Sequence, residues 1–181
     1  YRAYLDTCTS WDLIKNSTKL FVCFGGVPLK NGQICQGGTG NHYQKESIIS
    51  AASSGIEFVN VSPLKSDLMD EAGGKWLSLR PNTDTALMLG IAHTLHIEGL
   101  SDKDFLNKYT EGFDIFLNYL LGFSDGIQKD ANWAAEICDI PANEIKELAR
   151  RMVSNRTMIS VSWSLTRQDH GEQPFWMAIM L

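Results

Sequence analysis

The sequence predicts an α/β fold that combines a parallel sheet with a block of helices. A continuous apolar run of strand length at residues 19–24 is typical of a strand that is buried on both faces, and residues 56–61 form a second predicted strand. A helical pattern separates these two strands, and helical patterns fill most of residues 84–152 before strand character returns at 157–162. The order β-α-β-β, helices, β therefore predicts an α/β sandwich that can divide into two lobes.

The bulk composition is that of an ordinary globular protein. Of 181 residues, 44% are apolar and 20% are charged, and the net charge is −5. The negative charge argues against broad nucleic-acid binding. No apolar run approaches the roughly 20 residues that a membrane span needs. The 4 cysteines are widely spaced without a C-x-x-C motif, so we expect neither a disulfide framework nor a zinc site.

Both ends of the sequence have an internal character. The chain opens on Tyr1 without an initiator methionine or a signal peptide, and it closes on the apolar run 175–181 without a helix-ending residue. We therefore expect an internal piece of a larger protein, in which the last run begins a truncated helix. A targeting signal would lie outside this piece.

The first predicted strand leads into a glycine turn. A short helix that begins at Thr9 or Ser10 precedes the strand, which breaks at the sequence Gly-Gly-Val-Pro of residues 25–28. Glycine lets the backbone turn sharply and approach a ligand closely. Open α/β sheets bind their ligands at this position, outside the carboxyl end of a strand.

The next stretch, residues 32–39, nearly matches the phosphate-binding loop G-x-x-x-x-G-K-[ST]. Gly38 occupies the position of the lysine, so the charge that would meet the β- and γ-phosphates is missing. Residues 37–40, Gly-Gly-Thr-Gly, do not directly follow a strand and form no dinucleotide fingerprint. A glycine-rich surface loop is the better interpretation.

A helix and two further strands follow. We expect a helix over about residues 42–54 with Gly55 as its C-terminal stop. The second strand, 56–61, is followed at once by a Ser-Pro pair at its carboxyl end, and a short third strand covers 75–79.

The stretch from residue 79 to 95 joins the strands to the helices. Pro81 ends the preceding segment, and Asn82 or Thr83 can cap the helix that follows. Asp84 lies in the first turn, where the helix dipole favours a carboxylate. Two interpretations of Asp84 stand side by side. It either caps a core helix, or it accepts the paired N–H donors of a ligand at the mouth of the sheet.

Helices then dominate as far as residue 156. Helical patterns cover 105–109, 113–121, 133–138 and a stretch that begins at Pro141. The buried face of the last helix is predicted to consist of Ile145, Leu148, Ala149 and Met152. We divide the chain into a first α/β segment, a helical block and the start of a second α/β segment, at residues 1–95, 96–156 and 157–181.

Catalytic candidates are sparse. Asp169 and His170 adjoin, but no serine or cysteine nucleophile is fixed near them by spacing. His93 and His96 can face one way on a helix, yet a third metal ligand is missing. Arg167 suits a phosphate or another anion, or is a solvated loop residue. We assign no catalytic residue and no metal ligand.

Small or polar groups follow the predicted strands at residues 24, 61 and 162, and Asp84 begins a helix. If the sheet is parallel, these groups meet at one edge. Trp163, just beyond the last strand, either lines a pocket there or fills the core. The residues alone thus predict a binding edge for a nucleotide-like ligand.

Three longer segments resemble a known family. These segments are LRPNTDTALMLGIAHTL, ANWAAEICDIPANEIKELAR and NRTMISVSWSLTRQDHGEQPFWM. They closely resemble the molybdenum S- and N-oxide reductases. This is the dimethyl sulfoxide, trimethylamine N-oxide and biotin sulfoxide reductase group of the molybdopterin oxidoreductase superfamily. The likeness covers nearly the whole chain. It implies Rossmann-like cofactor-binding lobes in a larger multidomain enzyme.

The resemblance implies bis(molybdopterin guanine dinucleotide) molybdenum as the cofactor. The segment that would wrap one guanosine arm contains Gly26, Val27, Pro28, Asn31 and Gln33. Ser62 and Pro63 match a nucleoside contact that is commonly Asp-Pro, and serine makes this contact weaker or different. Asp84 matches the carboxylate that reads guanine N1–H and the exocyclic amine. Two parallel charge-assisted bonds would distinguish guanine from adenine.

A second set of positions, near the C-terminal end of the chain, also matches the family. Trp163 and Ser164 match the Gly-Trp-Gly or Gly-Trp-Ser motif of the family, with a serine in place of the first glycine, which alters the closest backbone approach. Arg167, Gln168 and Gln173 match the segment associated with the second dinucleotide and the active-site floor. The serine that ligates molybdenum in this group lies upstream in the family, so no residue here takes that role.

The reaction implied by the resemblance is the two-electron reduction of an S- or N-oxide, with oxygen passing to molybdenum and water leaving. The partners would be a small oxide substrate and an electron-donor protein, in the bacterial periplasm or alternatively in the cytoplasm. This piece alone would be inactive. A stand-alone nucleotide-binding or regulatory module is the alternative function. A nicotinamide dehydrogenase is disfavoured because no G-x-G-x-x-G follows the first strand.

Overall fold

A computed structural model of the protein describes residues 9–35, 38–39 and 41–181. The chain packs into two compact units, the first up to Trp76 together with Asn155–Ser162, and the second Leu77–Ser154 together with Trp163–Leu181. The predicted α/β fold with a parallel sheet is confirmed. The predicted segments 1–95, 96–156 and 157–181 stay a prediction.

The strands and two helices belong to the first unit or begin in it. In chain order they are α1 (Trp11–Ser17), β1 (Leu20–Phe24), β2 (Ile34–Cys35), β3 (Gly38–Thr39), α2 (Gln44–Ser53), β4 (Glu57–Ser62), β5 (Lys75–Ser78) and β6 (Thr157–Val161). The main sheet has the order β5-β4-β1-β6. Both β4 and β6 run parallel to β1, with Leu20 aligned to Glu57 and to Thr157.

The central strand explains the unbroken apolar run. Every residue of β1 is buried, because a neighbour strand lies on each side and side chains of both faces enter packed layers. On one face Phe21 and Phe58 stack with ring centroids 5.3 Å apart. Cys23 is buried in the same cluster, and this burial raises the pKa of its thiol, which keeps it protonated.

The two helices of the first unit begin and end near the predicted residues. Ser10 caps α1, and its hydroxyl oxygen accepts a hydrogen bond from Leu13 N at 3.3 Å. Gly55, with φ +90°, follows α2 as predicted. Part of the predicted surface loop is a small hairpin instead, because β2 pairs antiparallel with β3. Residues 36, 37 and 40 of that stretch lie outside the described residues.

The second unit is helical. It contains α3 (Asp84–Ile97), α4 (Lys103–Tyr109), α5 (Phe113–Leu120), α6 (Ala131–Cys138), α7 (Ala142–Ser154) and α8 (Gln173–Met180). The predicted buried face of α7, at Ile145, Leu148, Ala149 and Met152, is confirmed. None of the described helices is long and apolar enough to cross a membrane.

Helix α3 forms the centre of the second unit. Every residue from Ala86 to Thr94 is buried, so the helix has no solvent-exposed face over this length. A Cβ atom on Gly90 would lie 2.7 Å from Ala134 Cβ, so α3 and α6 approach each other too closely for any larger residue at this position. The start of α3 is thus held by a tightly packed helix.

The loop between α5 and α6 contains a buried cation. The side chain of Lys129 is only 2% exposed. Its ammonium group contacts the carboxylate of Asp125, donates to Ile127 O at 2.6 Å, and lies 4.1 Å from the ring centroid of Tyr119. These contacts compensate the loss of solvation, so Lys129 fastens the loop against α5.

Candidate functional site

The glycine turn after β1 is a position where the chain approaches itself closely. Gly26 has φ +70°, and a Cβ atom there would lie 2.5 Å from Asp67 Cβ. The next residue, Val27, donates its amide to Asp67 O at 2.7 Å. Glycine is therefore required at position 26, as predicted, because the neighbouring turn at residues 65–67 leaves no room for a side chain.

Asp67 also binds the end of β4. The hydroxyl of the buried Ser62 donates to Asp67 Oδ2 at 2.5 Å, and the same hydroxyl oxygen accepts from Leu64 N at 3.3 Å. The structure thus brings the predicted residues Gly26, Val27 and Ser62 together around one residue, Asp67, whose carboxylate bonds Ser62 and whose backbone carbonyl bonds Val27. Sequence reasoning missed Asp67, and the available indication was an acidic residue one turn after the Ser-Pro pair.

A second residue holds the same loop from inside the sheet. Asn60 is 1% exposed, and its amide Nδ2 donates to Leu64 O at 3.3 Å and to Lys65 O at 3.1 Å. On the outer side, the indole N–H of Trp76 donates to Ser62 O at 2.8 Å. The loop beyond β4 is therefore anchored at both ends. Pro63 itself is exposed.

A cleft of about 400 Å³ lies between the two turns of the first unit, and its lining includes Pro28, Lys30, Leu64 and Asp67. The predicted residues Asn31 and Gln33 belong to a 3-10 turn, Leu29–Gln33, and both are exposed. This edge of the first unit offers exposed amides and one anchored carboxylate to a polar ligand.

In the second unit, Asp84 is buried at the first residue of α3 and is only 2% exposed. Thr83 occupies the N-cap position as predicted, but its side chain accepts no hydrogen bond from the first turn of α3. The Thr83 hydroxyl donates to Arg80 O at 2.6 Å, and Asn82 adopts a left-handed conformation with φ 63°, so the turn before α3 folds on itself. The carboxyl oxygen Oδ1 of Asp84 has no hydrogen-bond partner.

Burial raises the pKa of the Asp84 carboxyl to about 6, and hydrogen bonding to its own backbone amide and the nearby amide of Gln168 oppose this shift only in part. Gln168 Nε2 is also buried, and no hydrogen bond of normal geometry reaches it. The structure thus places two predicted residues, an acceptor and a donor, beside each other, and Asp84 Oδ1 stays without a hydrogen-bond partner. Such atoms are rare in folded proteins.

The residues that precede and follow Gln168 face outward. Trp163, Ser164 and Arg167 belong to a 3-10 turn, Trp163–Arg167, and all three are exposed, so Trp163 does not fill the core of its unit. Gln173 begins α8. A Cβ atom on Gly171 would lie 2.4 Å from Thr166 O, so glycine lets the chain close tightly around Gln168.

The remaining candidates from the sequence form no reactive group. Asp169 and His170 are both exposed, with 3.8 Å between His170 Nε2 and Asp169 Oδ2. His93 Nε2 lies 2.8 Å from Gln128 Nε2, and burial lowers the pKa of His93. His96 packs its ring against Phe113 instead. Among the described residues, no three or more His, Cys, Asp or Glu side chains are grouped so that they could hold a metal ion.

Comparison with known proteins identifies relatives over nearly the whole chain. The molybdopterin oxidoreductase family matches residues 4–181. The chain is 43% identical to a dimethyl sulfoxide/trimethylamine N-oxide reductase of Cereibacter sphaeroides over 96% of its length, and 43% identical to a biotin sulfoxide reductase of the same organism over 94%. A trimethylamine-N-oxide reductase of Haemophilus influenzae is 42% identical over 96%.

The chain spans about a fifth of the length of these curated relatives, 21%, 23% and 21% respectively. Among solved structures, acetylene hydratase from Pelobacter acetylenicus superimposes with a TM-score of 0.68 at 20% identity, over 92% of this chain and 21% of that one. At this identity the likeness concerns the fold alone.

Proposed function

The chain belongs to the molybdopterin oxidoreductase family, and from this premise we propose that it holds guanine-nucleotide ends of bis(molybdopterin guanine dinucleotide) molybdenum in an S- or N-oxide reductase. The observation that carries the proposal is the buried Asp84 carboxyl with its unpaired oxygen. The family implies a molybdenum-pterin cofactor. The relatives described above are named as reductases of sulfoxides and amine N-oxides.

The chemistry of Asp84 fits a guanine ring. A carboxylate offers two acceptor oxygens, and guanine presents N1–H and an exocyclic amine side by side as donors. Adenine has an acceptor at N1, so it would place lone pairs against the carboxylate. Because a buried acceptor without a donor costs about 1–3 kcal/mol, a bound guanine would compensate a cost that the free protein carries.

Proton binding at Asp84 follows from the same arrangement. Its pKa of about 6 leaves a fraction of the carboxyl protonated near neutral pH, and only the ionised form accepts two hydrogen bonds. Donors from guanine favour that ionised form, so we expect guanine binding to lower the pKa and to release a proton. Asp84 therefore serves to bind and orient, and the bound cofactor would supply the two-electron chemistry at molybdenum.

The first unit supports the proposal with its own polar edge. Gly26, Val27 and Ser62 are joined through Asp67, and the exposed Asn31 and Gln33 lie on the turn that follows. We propose that this edge holds a nucleoside arm of the cofactor. The Ser62–Asp67 hydrogen bond places a carboxylate beside a position where the family commonly has aspartate.

The test is metal and nucleotide analysis of the full-length protein that carries this chain, purified after expression with molybdate. We expect molybdenum together with about two guanine nucleotides per metal after acid release. Guanine without molybdenum would favour the stand-alone nucleotide-binding module. A matured preparation with neither molybdenum nor guanine would contradict both functions.

A further inference from the structure

We propose that the first unit binds a small alkylammonium ion in a polar cavity beside the loop that follows β4. The cavity has a volume of about 270 Å³, and its lining includes Asn60, Lys65, Asp70, Gly74 and Trp76. It is distinct from the cleft of about 400 Å³ described above, which Asn60, Gly74 and Trp76 do not line. None of these residues is assigned to the cofactor above, so the site does not depend on the proposed function.

Asn60 gives the cavity a buried hydrogen-bond acceptor. Asn60 is 1% exposed, and its Nδ2 donates to Leu64 O and to Lys65 O, which points the amide towards the loop that lines the cavity. These two bonds use both amide hydrogens and fix the orientation of the group. The other atom, Oδ1, is buried and accepts no hydrogen bond from any residue that the structure describes. Because buried polar atoms are normally paired, the ligand must carry an N–H or O–H donor.

The walls of the cavity favour a ligand that also has an apolar part. Trp76 is 38% exposed, and its indole N–H donates to Ser62 O at 2.8 Å, so the ring is held in place. The buried Leu68 and the partly buried Met69 add apolar surface to the lining. An indole ring attracts a cation to its face, and a short alkyl chain gains free energy by leaving water.

Two opposite charges lie among the lining residues. Lys65 Nζ is 3.9 Å from Asp70 Oδ1, and both side chains are exposed. An exposed ion pair of this kind is weak, so a bound cation can share the carboxylate with Lys65. An anion could pair with Lys65, but it would bring no donor to the Oδ1 atom of Asn60. An ammonium group satisfies the acceptor and the carboxylate together, and this selects a cation over an anion.

The experiment compares propylammonium, n-propanol and tetramethylammonium on the full-length protein by ligand-observed NMR titration. Propylammonium has both a charge and a donor, n-propanol has only the donor, and tetramethylammonium has only the charge. We expect the wild type to bind propylammonium at least about tenfold more tightly than either of the others, because only propylammonium forms a charge-assisted hydrogen bond with Asn60.

Four variants assign this preference to the cavity. Asn60→Leu removes the acceptor, so it should abolish the preference for propylammonium over tetramethylammonium. Asp70→Asn should weaken propylammonium binding about threefold, and Lys65→Gln should strengthen it by a similar factor. An anion-binding site would respond to these two changes in the opposite sense. Glu71→Gln is the matched control, because Glu71 is an exposed carboxylate that pairs with Lys45 and does not line the cavity.

Equal binding of the three ligands by the wild type would mean that the cavity holds only solvent, and it would overturn the inference without any variant. A preference that survives Asn60→Leu, or weaker propylammonium binding by Lys65→Gln, would overturn it as well. If Asn60→Leu changes the circular dichroism spectrum, the opposite responses of Asp70→Asn and Lys65→Gln decide, since both side chains are exposed and Asn60 stays in place. The guanine content of the matured protein tests the proposed function separately.

Discussion

Replacing the buried carboxyl of Asp84 by an amide, Asp84→Asn, is expected to stabilise the cofactor-free protein at neutral and alkaline pH. Burial raises the pKa of Asp84 from 3.8 to about 6. Because one pKa unit corresponds to about 1.4 kcal/mol, ionising this group in the folded protein costs about 3 kcal/mol more than in the unfolded chain. Asparagine keeps the size of the side chain and avoids that cost.

The pH dependence has a definite sign. The folded protein holds the proton of Asp84 more tightly than the unfolded chain does, so the contribution of Asp84 is most favourable below about pH 4. It is lost as the pH rises from about 4 to about 6, and stays lost above. The variant lacks this titration. Its advantage over the wild type should therefore grow from about zero at pH 4 to about 3 kcal/mol at pH 8.

The measurement is urea-induced unfolding of both proteins at pH 4, 6 and 8. Asp114→Asn is the matched control, because Asp114 lies in the first turn of α5 and is exposed. Loss of its charge removes only a favourable interaction with the helix dipole, about 0.3–1 kcal/mol. Asp84→Asn should behave in the opposite direction, and it should also lower the guanine content of the matured full-length protein.

A loss of stability in Asp84→Asn at pH 8 equal to that of Asp114→Asn would refute the reasoning. Asp84 would then be an ordinary acidic residue at a helix N-terminus. A variant that gains stability and keeps its full guanine content would refute the proposed role of Asp84 alone. Gain of stability with loss of ligand is the pattern expected where a binding group is kept at the expense of the fold.

Three further predictions concern the glycine turn, the buried lysine and ligand binding. Gly26→Ala should destabilise the protein by about 2–4 kcal/mol. Gly73 has a similar φ and no neighbour within 4 Å, so Gly73→Ala should cost only about 1 kcal/mol. Urea unfolding of both variants therefore separates the cost of the contact with Asp67 from the cost of the backbone conformation. Lys129→Met should destabilise the protein by about 1–3 kcal/mol, because the part-buried hydrogen bond from the buried ammonium group to Ile127 O is lost. An unchanged midpoint of unfolding would contradict the anchoring role. GMP binding should strengthen about tenfold between pH 5 and pH 7 as the carboxyl of Asp84 ionises, and a flat profile in calorimetric titrations would contradict the assignment of the acceptor.

The framework of the fold follows from local patterns in the sequence. The unbroken apolar run of β1 predicts a strand with neighbours on both sides, and the structure places β4 and β6 there. The start of α6 is predicted about two residues late, because the hydrophobic pattern does not identify Asp130 as the N-cap of this helix. Its carboxylate accepts from Trp133 N at 2.8 Å, so the helix begins at Ala131. Capping depends on one side chain and leaves the hydrophobic period unchanged.

The site was predictable only where the sequence itself carries the constraint. Gly26 follows from the need for a sharp turn, and Asp84 from its position at a helix start. The roles of Asp67 and Asn60 depend on the path of a loop that no periodicity describes, since each binds backbone or side-chain atoms of that loop. Gln168 could be selected by resemblance, but its place beside Asp84 requires the turn that Gly171 permits.

Of the two interpretations of Asp84, we propose the one in which it binds a ligand. A carboxylate that caps a helix accepts hydrogen bonds from free amides of the first turn, which stabilises its ionised form and lowers its pKa. Asp84 shows the opposite shift, an unpaired oxygen and almost complete burial. Because burying this carboxyl destabilises the fold, we propose that Asp84 is kept for a ligand whose donors match it.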